Sequence, residues 1–239
     1  MAYYFSRIRL DLQHPKARDV ASQFASLDGE HHSIWRKFFP KPDDAQRDFL
    51  FRRLDPAGDR APTYYVLSQR VPIQISPAWD IQTRDYAPAI SQGMNLRFDL
   101  RASPTVTRKE GDAKSRRQHI DVVMDAKHGV ARERGYEKWS QLPEDQRPQL
   151  YDLIQPVCTQ WLRRRGKRLG FSLLHEPQVH AYGRHQLPRK GDSNIVLSTV
   201  DFSGGLRIDD VNAFAAAVYD GIGRGKAFGC GLLLIKPAQ

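Results

Sequence analysis

Residues 221–235 read GIGRGKAFGCGLLLI, and the order of elements on either side of them bears on the architecture of the chain. Five glycines, Gly221, Gly223, Gly225, Gly229 and Gly231, crowd into this segment. Glycine accepts positive φ and lets a second backbone come close. Before the glycines lies DDVNAFAAAVYD (209–220), an amphipathic helix with Val211, Phe214, Ala215 and Val218 on one face. After them comes the apolar strand GLLLI. A dinucleotide fingerprint needs a strand first and a helix second, the reverse of this order. A Walker A loop needs Ser or Thr after the Gly-Lys pair, and Ala227 stands there, with Asp220 at its opening glycine. The segment is therefore neither a dinucleotide fingerprint nor a Walker A loop. A helix–glycine loop–strand remains, with Arg224 and Lys226 beside backbone N–H groups. It suits a phosphate backbone, a tight connector against a sheet, or both.

Working outward, LYDLIQPVCTQWLRRRGKRLG (150–170) predicts a helix with Leu153, Val157, Trp161 and Leu162 at helical spacing. Pro156 sets its start near that residue, and Gly166 or Gly170 its end. FSLLHEPQVHAYGRH (171–185) and NIVLSTVDFSGGLRI (194–208) supply strands, so the second half reads α-β-β-α-β. At the other end, YYFSRIRLDL (3–12) alternates as a first strand, and PKARDVASQFASL (15–27) reads as a helix with Pro15 at its start. A second helix spans about 29–39, capped by Ser26 or Asp28. DFLFRRLD (48–55) and TYYVLSQRVP (63–72) follow as strands, ISPAWDIQTRDYAPAI (75–90) is irregular, and MNLRFDLRASP (94–104) is one more strand. The first half thus reads β-α-β-β-(α)-β, the ferredoxin-like order. The expected class is α+β with two tandem ferredoxin-like domains. These cover 1–104 and 151–239, joined by a basic loop and polar connector over 105–150.

The chain has 239 residues, of which 40% are hydrophobic, and a net charge of +10. A basic excess favours a polyanionic partner, nucleic acid first. No apolar run approaches the ~20 residues that a membrane span needs, and the start lacks a signal-peptide core. A cytoplasmic protein with no membrane partner is the expectation. The two cysteines form no CxxC pair, and the histidines form no HExxH. His175, His180 and His185 recur every fifth residue but have no further ligand beside them. Charge concentrates in WLRRRGKR (161–168) and in LRFDLRASPTVTRKEGDAKSRR (96–117). In the latter, a strand bearing Arg97, Asp99 and Arg101 leads into a loop with Arg108, Lys109, Lys114, Arg116 and Arg117. Such side chains can follow the phosphates of base-paired RNA, or simply be solvated.

No nucleophile elbow and no paired-carboxylate site stands out. An enzyme built this way needs chemistry with neither metal nor cofactor. RNA permits it, because the 2′-OH attacks its own phosphate and the protein need only move protons and offset charge. One histidine of near-neutral pKa suffices for the proton. EHHSIWRKFFP (30–40) offers two. On a helix His31 shares a face with Ile34, Trp35 and Phe38, while His32 lies about 100° round and meets Arg36 at i+4. Both also suit a structural reading beside an apolar stripe.

Three blocks, HHSIWRKFFPKPDDAQRDFLFRRLD (31–55), LRFDLRASP (96–104) and GIGRGKAFGCGLLLIKP (221–237), resemble the CasE family, the CRISPR RNA-processing endoribonucleases of type I-E Cascade complexes. The resemblance frames nearly the whole chain. It implies two ferredoxin-like domains and cleavage of the CRISPR repeat stem-loop in precursor crRNA without a metal. It implies cyclic-phosphate (or 3′-phosphate) and 5′-hydroxyl products. The enzyme then holds its product hairpin and joins Cascade beside the crRNA backbone subunit. A non-cleaving hairpin-binding subunit is the alternative. The family's histidine precedes an apolar, large-apolar and Phe pattern, which selects His31, whereas counting back from Pro40 selects His32. Some members carry a tyrosine three residues before that histidine. Here Asp28 or Gly29 stands there, leaving Tyr3, Tyr4 or Arg36 as substitutes.

Overall fold

The computed structural model describes residues 2–21, 35–40, 47–54, 62–109, 117–187 and 195–238. His31, His32, Lys114, Arg116 and the proposed caps Ser26 and Asp28 lie outside the described residues, as do the side chains of Lys109 and Arg117.

Alternation in YFSRIRL builds β1 (Tyr4–Leu10), which turns Ser6, Ile8 and Leu10 inward. Then come α1 (Ala17–Ala21), the single turn α2 (Arg36–Phe38), β2 (Phe49–Leu54), β3 (Thr63–Ser68) and β4 (Trp79–Asp85). Every pairing is antiparallel, and the strand order is β2-β3-β1-β4. This is the ferredoxin-like arrangement, in which a returning strand slots between the first two. One face of the sheet is sealed by rings. Trp35 lies 4.2 Å from Phe51, edge-on to Tyr64 at 5.4 Å, and Phe38 meets Trp79 at 5.4 Å. Trp35, Phe38, Phe39 and Tyr64 are fully buried there.

The segment 75–90, read as irregular, contains β4, the fourth strand of this sheet. It is an edge strand with only Trp79 buried, so it carries almost no apolar alternation to read. The strand assigned to that place, β5 (Asn95–Ala102), instead begins the second sheet. It pairs with β10 (Ile195–Ile208) from Asn95↔Arg207 to Ala102↔Val200 and with β11 (Leu233–Pro237) on its other side. A boundary after residue 104 would cut that sheet apart. The change of sheet falls between Asp85 and Asn95.

After β5 the chain makes a hairpin, β6 (Thr105–Lys109) against β7 (Arg117–Asp121), where the sequence had suggested a turn-like loop. Next comes α3 (Val122–Glu133), inside what had read as polar connector. Asp121 caps it, accepting from the N–H groups of Val123 at 2.6 Å and Met124 at 3.1 Å. Helix α4 (Leu150–Arg168) begins six residues before Pro156, not at it. Pro156 lies on the exposed face, so the carbonyl that its missing N–H leaves free is on the solvent side. The short β8 (Phe171–Leu173), then β9 (Gln178–Leu187), β10, α5 (Val211–Asp220) and β11 follow. The order β11-β5-β10-β8, with β9 also on β10, repeats the arrangement of the first sheet. Phe98, Leu100, Phe202 and Leu206 face α4 and α5 and form one core with Leu162, Phe214 and Val218.

The opposite face of β5 turns towards the first sheet. Leu50 and Leu67 of the first sheet belong to the second unit's core, and Tyr3 stacks on Tyr219 at 4.2 Å. Among the described residues no helix is long and apolar enough to cross a membrane.

Candidate nucleic-acid interface

All five glycines of 221–231 have positive φ, and the loop they form is wedged between the two sheets. Gly221 sits at φ 78° and ψ 158°, a conformation essentially reserved for glycine. A Cβ there would come within 2.8 Å of Leu50 Cδ1 on β2. Gly229 has the same relation to Phe51, at 3.2 Å. Phe51 in turn lies against Trp35, so a single ring separates the loop from the described end of the histidine segment. The loop is laced inward. Ile222 donates to Gly231 O at 2.9 Å, Gly231 to Arg101 O at 2.7 Å, and Cys230 to Gly225 O at 3.3 Å. Arg47 Nη1 donates to Lys226 O at 2.8 Å, and Lys226 Nζ to the last carbonyl of α5, that of Asp220. Part of its backbone therefore works as the connector that the sequence had allowed for. Arg224 stays exposed, bridged through its backbone to Ser103.

Beside the loop, the sheets are tied by charge. Arg52 of β2 is 5% exposed. It donates Nη1 to the Asp99 carboxylate and lies 3.7 Å from Asp201. Arg101 grips Asp201 with two bonds of 2.8 Å. The Arg101 side chain is thus engaged at the junction, while Arg97 on the same strand is exposed. His185 on β9 bonds Thr199 Oγ1 at 3.0 Å, and burial, then Arg101, lowers its pKa. His180 bonds Ser203 Oγ at 3.2 Å. Among the described residues no group of His, Cys, Asp and Glu is placed to hold a metal ion.

A groove of about 330 Å³ runs between the hairpin and α4. Arg108 enters from β6, and Arg164, Arg165 and Arg168 from α4. Asp125 of α3 is the one carboxylate lining it among the described residues and takes two bonds from Arg108, at 3.0 and 2.6 Å. That bond holds the Asp125 carboxyl below its usual pKa. Burial, then Arg168, lowers the pKa of Arg165. Trp161 closes the end of the groove. Its Nε1 donates to Thr105 O at 3.2 Å, and its ring lies 3.4 Å from where a Cβ on Gly223 would be. Groove and glycine loop therefore adjoin through one indole. Arg164, Arg165 and Arg168 were not among the residues that the sequence singled out for RNA. The signal was present in WLRRRGKR, since residues four apart share a helix face.

A family profile of CRISPR-associated proteins matches residues 3–237. The chain belongs to that family. The CRISPR system Cascade subunit CasE of Escherichia coli is 29% identical over 211 residues, covering 87% of this chain and 90% of that protein. The fold matches Thermus thermophilus Cse3 bound to an RNA representing a pre-cleavage complex, with TM-score 0.67, 21% identity, and 99% and 100% of the two chains covered. It also matches the CRISPR-associated protein Cas6e of Escherichia coli, with TM-score 0.61, 21% identity, and 98% and 100% covered.

Proposed function

We propose that this family member is a metal-independent endoribonuclease that cuts CRISPR repeat stem-loops in precursor crRNA, keeps the hairpin, and serves as a Cascade subunit beside the crRNA backbone subunit. The observation that carries the reading is the four-arginine groove joined through Trp161 to the glycine loop. A hairpin stem offers a run of phosphates, and long basic side chains can follow its shape. The names of the similar proteins, a Cascade subunit and an RNA-bound Cse3, support it.

His31, with His32 as the alternative, moves the proton. The 2′-oxygen attacks the adjacent phosphorus, the P–O5′ bond breaks, and a cyclic phosphate and a 5′-hydroxyl result. Arginine and lysine offset the charge that builds on the phosphoryl oxygens. The glycine loop, Arg97 and the basic segment from Arg108 to Arg117 hold the RNA. Asp28 stands where some members have a tyrosine, and this favours a second reading, a subunit that binds the hairpin without cutting it. Repeat RNA incubated in EDTA separates the readings. Cleavage that persists, and stops when the upstream nucleotide is 2′-deoxy, is the expected result. Cleavage abolished by EDTA overturns the metal-independent mechanism. Uncut RNA at unchanged affinity favours the binding subunit. Single His31→Ala and His32→Ala variants then assign the proton carrier. The expected loss is about 10²–10⁴-fold in cleavage rate for one of them.

A further inference from the structure

The first sheet has a second face, and the groove and glycine loop do not use all of it. Along this face the strand register sets Arg84 beside Phe5 on β1, and Arg7 between Gln82 and Tyr65. These residues line an open depression of about 410 Å³, well apart in sequence from the arginines of α4. Phe5 and Tyr65 are half-buried, with ring centroids 5.4 Å apart, and Tyr86 stacks on Phe5 at 5.4 Å. The Arg84 guanidinium lies over the Phe5 ring at 5.7 Å. Among the described residues Arg84 meets no carboxylate, and Arg7 pairs only with Asp80, at 3.4 Å across exposed surface. Arg7 Nε is buried with no hydrogen-bond partner among them.

We infer that this face is a stacking platform for single-stranded RNA, separate from the hairpin groove. Phe5 and Tyr65 offer flat faces on two adjacent central strands, and every base has a π-face to lay on them. The guanidinium over Phe5 shows that the ring accepts a flat, delocalised cation from that side, and a base can take its place or extend the stack. Arg7 and Arg84 supply the positive charge that the accompanying phosphates require. Gln82 supplies both a donor and an acceptor for a base edge. A double-stranded stem cannot use such a platform, because its bases are already stacked on one another. The occupant is therefore an unpaired stretch of the strand that carries the hairpin. This inference rests on the RNA reading above.

Two ligands test it separately. The first is a uridine 12-mer compared with a 12-mer of abasic ribose phosphates of equal charge. The second is the isolated repeat hairpin. The intact chain should bind the uridine 12-mer at least about fivefold more tightly than the abasic one, the lower range for one stacked base. Phe5→Leu keeps apolar volume, and Arg84→Ala changes an exposed edge residue; each should remove most of that preference and leave hairpin affinity unchanged. A 12-mer carrying 5-iodouridine should crosslink to Phe5 or Tyr65. Equal affinity for both 12-mers, or a preference that survives in both variants with crosslinks elsewhere, overturns the platform. Failure to bind the hairpin, with the base preference intact, overturns the hairpin reading and leaves the platform standing.

Discussion

At the residue scale, Arg52 joins the two sheets. It is buried between Asp99 and Asp201, and Arg101 completes the network. Removing one member of such a cluster leaves the others short of partners in a partly dry setting. Arg52→Ala should lower stability by about 1–3 kcal/mol, read as a drop in the urea midpoint. An unchanged midpoint would show that Arg101 alone neutralises Asp201. The network also explains why one residue expected to grip RNA points elsewhere. Arg97 and Arg101 look alike in sequence, two polar residues on one strand face, but Arg101 meets Asp201, about a hundred residues further along the chain. Asp125 shows the opposite economy of means. Arg108 lowers its pKa, so their bond exists above the ordinary carboxylate range and is lost as pH falls through the lowered value. RNA affinity of Asp125→Asn should therefore equal or exceed that of the intact chain, measured by filter binding, because Arg108 is released for phosphate.

At the element scale, the glycine loop and α4 make distinct predictions. Gly221→Ala forces an L residue into a region reserved for glycine and drives a methyl into Leu50. It should cost about 1–3 kcal/mol, read by thermal melting. Gly129→Ala, inside α3 with nothing within 4 Å of the added Cβ, should raise stability by about 0.5–1 kcal/mol. The contrast separates a glycine that the fold requires from one that it merely tolerates. On α4, Arg164→Ala and Arg168→Ala should each weaken hairpin binding and reduce the salt slope by about one. An unchanged slope would move the phosphate track off the groove. Helix α4 also shows how local rules mislead: a proline within the pattern suggested a start, but Leu153 and Ile154 are buried one turn earlier and hold that turn in the helix.

At the scale of the whole molecule, four groups share one response to alkali. Burial raises Cys158 and Cys230 from 9.0 to about 12, and Tyr86 and Tyr182 from 10.0 to about 12. In the unfolded chain these groups release protons first, so the folded chain holds more protons above the ordinary values. Stability should therefore decline as pH rises from about 9, read as a falling urea midpoint, and the native thiols should resist alkylation at pH 8 until the chain unfolds. The layout of the molecule was partly legible from local pattern. The helix–glycine–strand order at 209–235 ruled out a dinucleotide fingerprint there, β1 alternated plainly, and the α-β-β-α-β run of the second half lacked its first strand, β5, and missed the β6–β7 hairpin and α3. These are properties of neighbouring residues, and neighbours determine propensity, periodicity and turn chemistry. What only the tertiary structure decided was which strand completes which sheet, since β5 finds its partners β10 and β11 a hundred residues or more further along the chain, and nothing local marks that choice. The same holds for the groove and the stacking face. Each brings together side chains from separate elements, and strand pairing and packing in space, not spacing along the chain, bring them together.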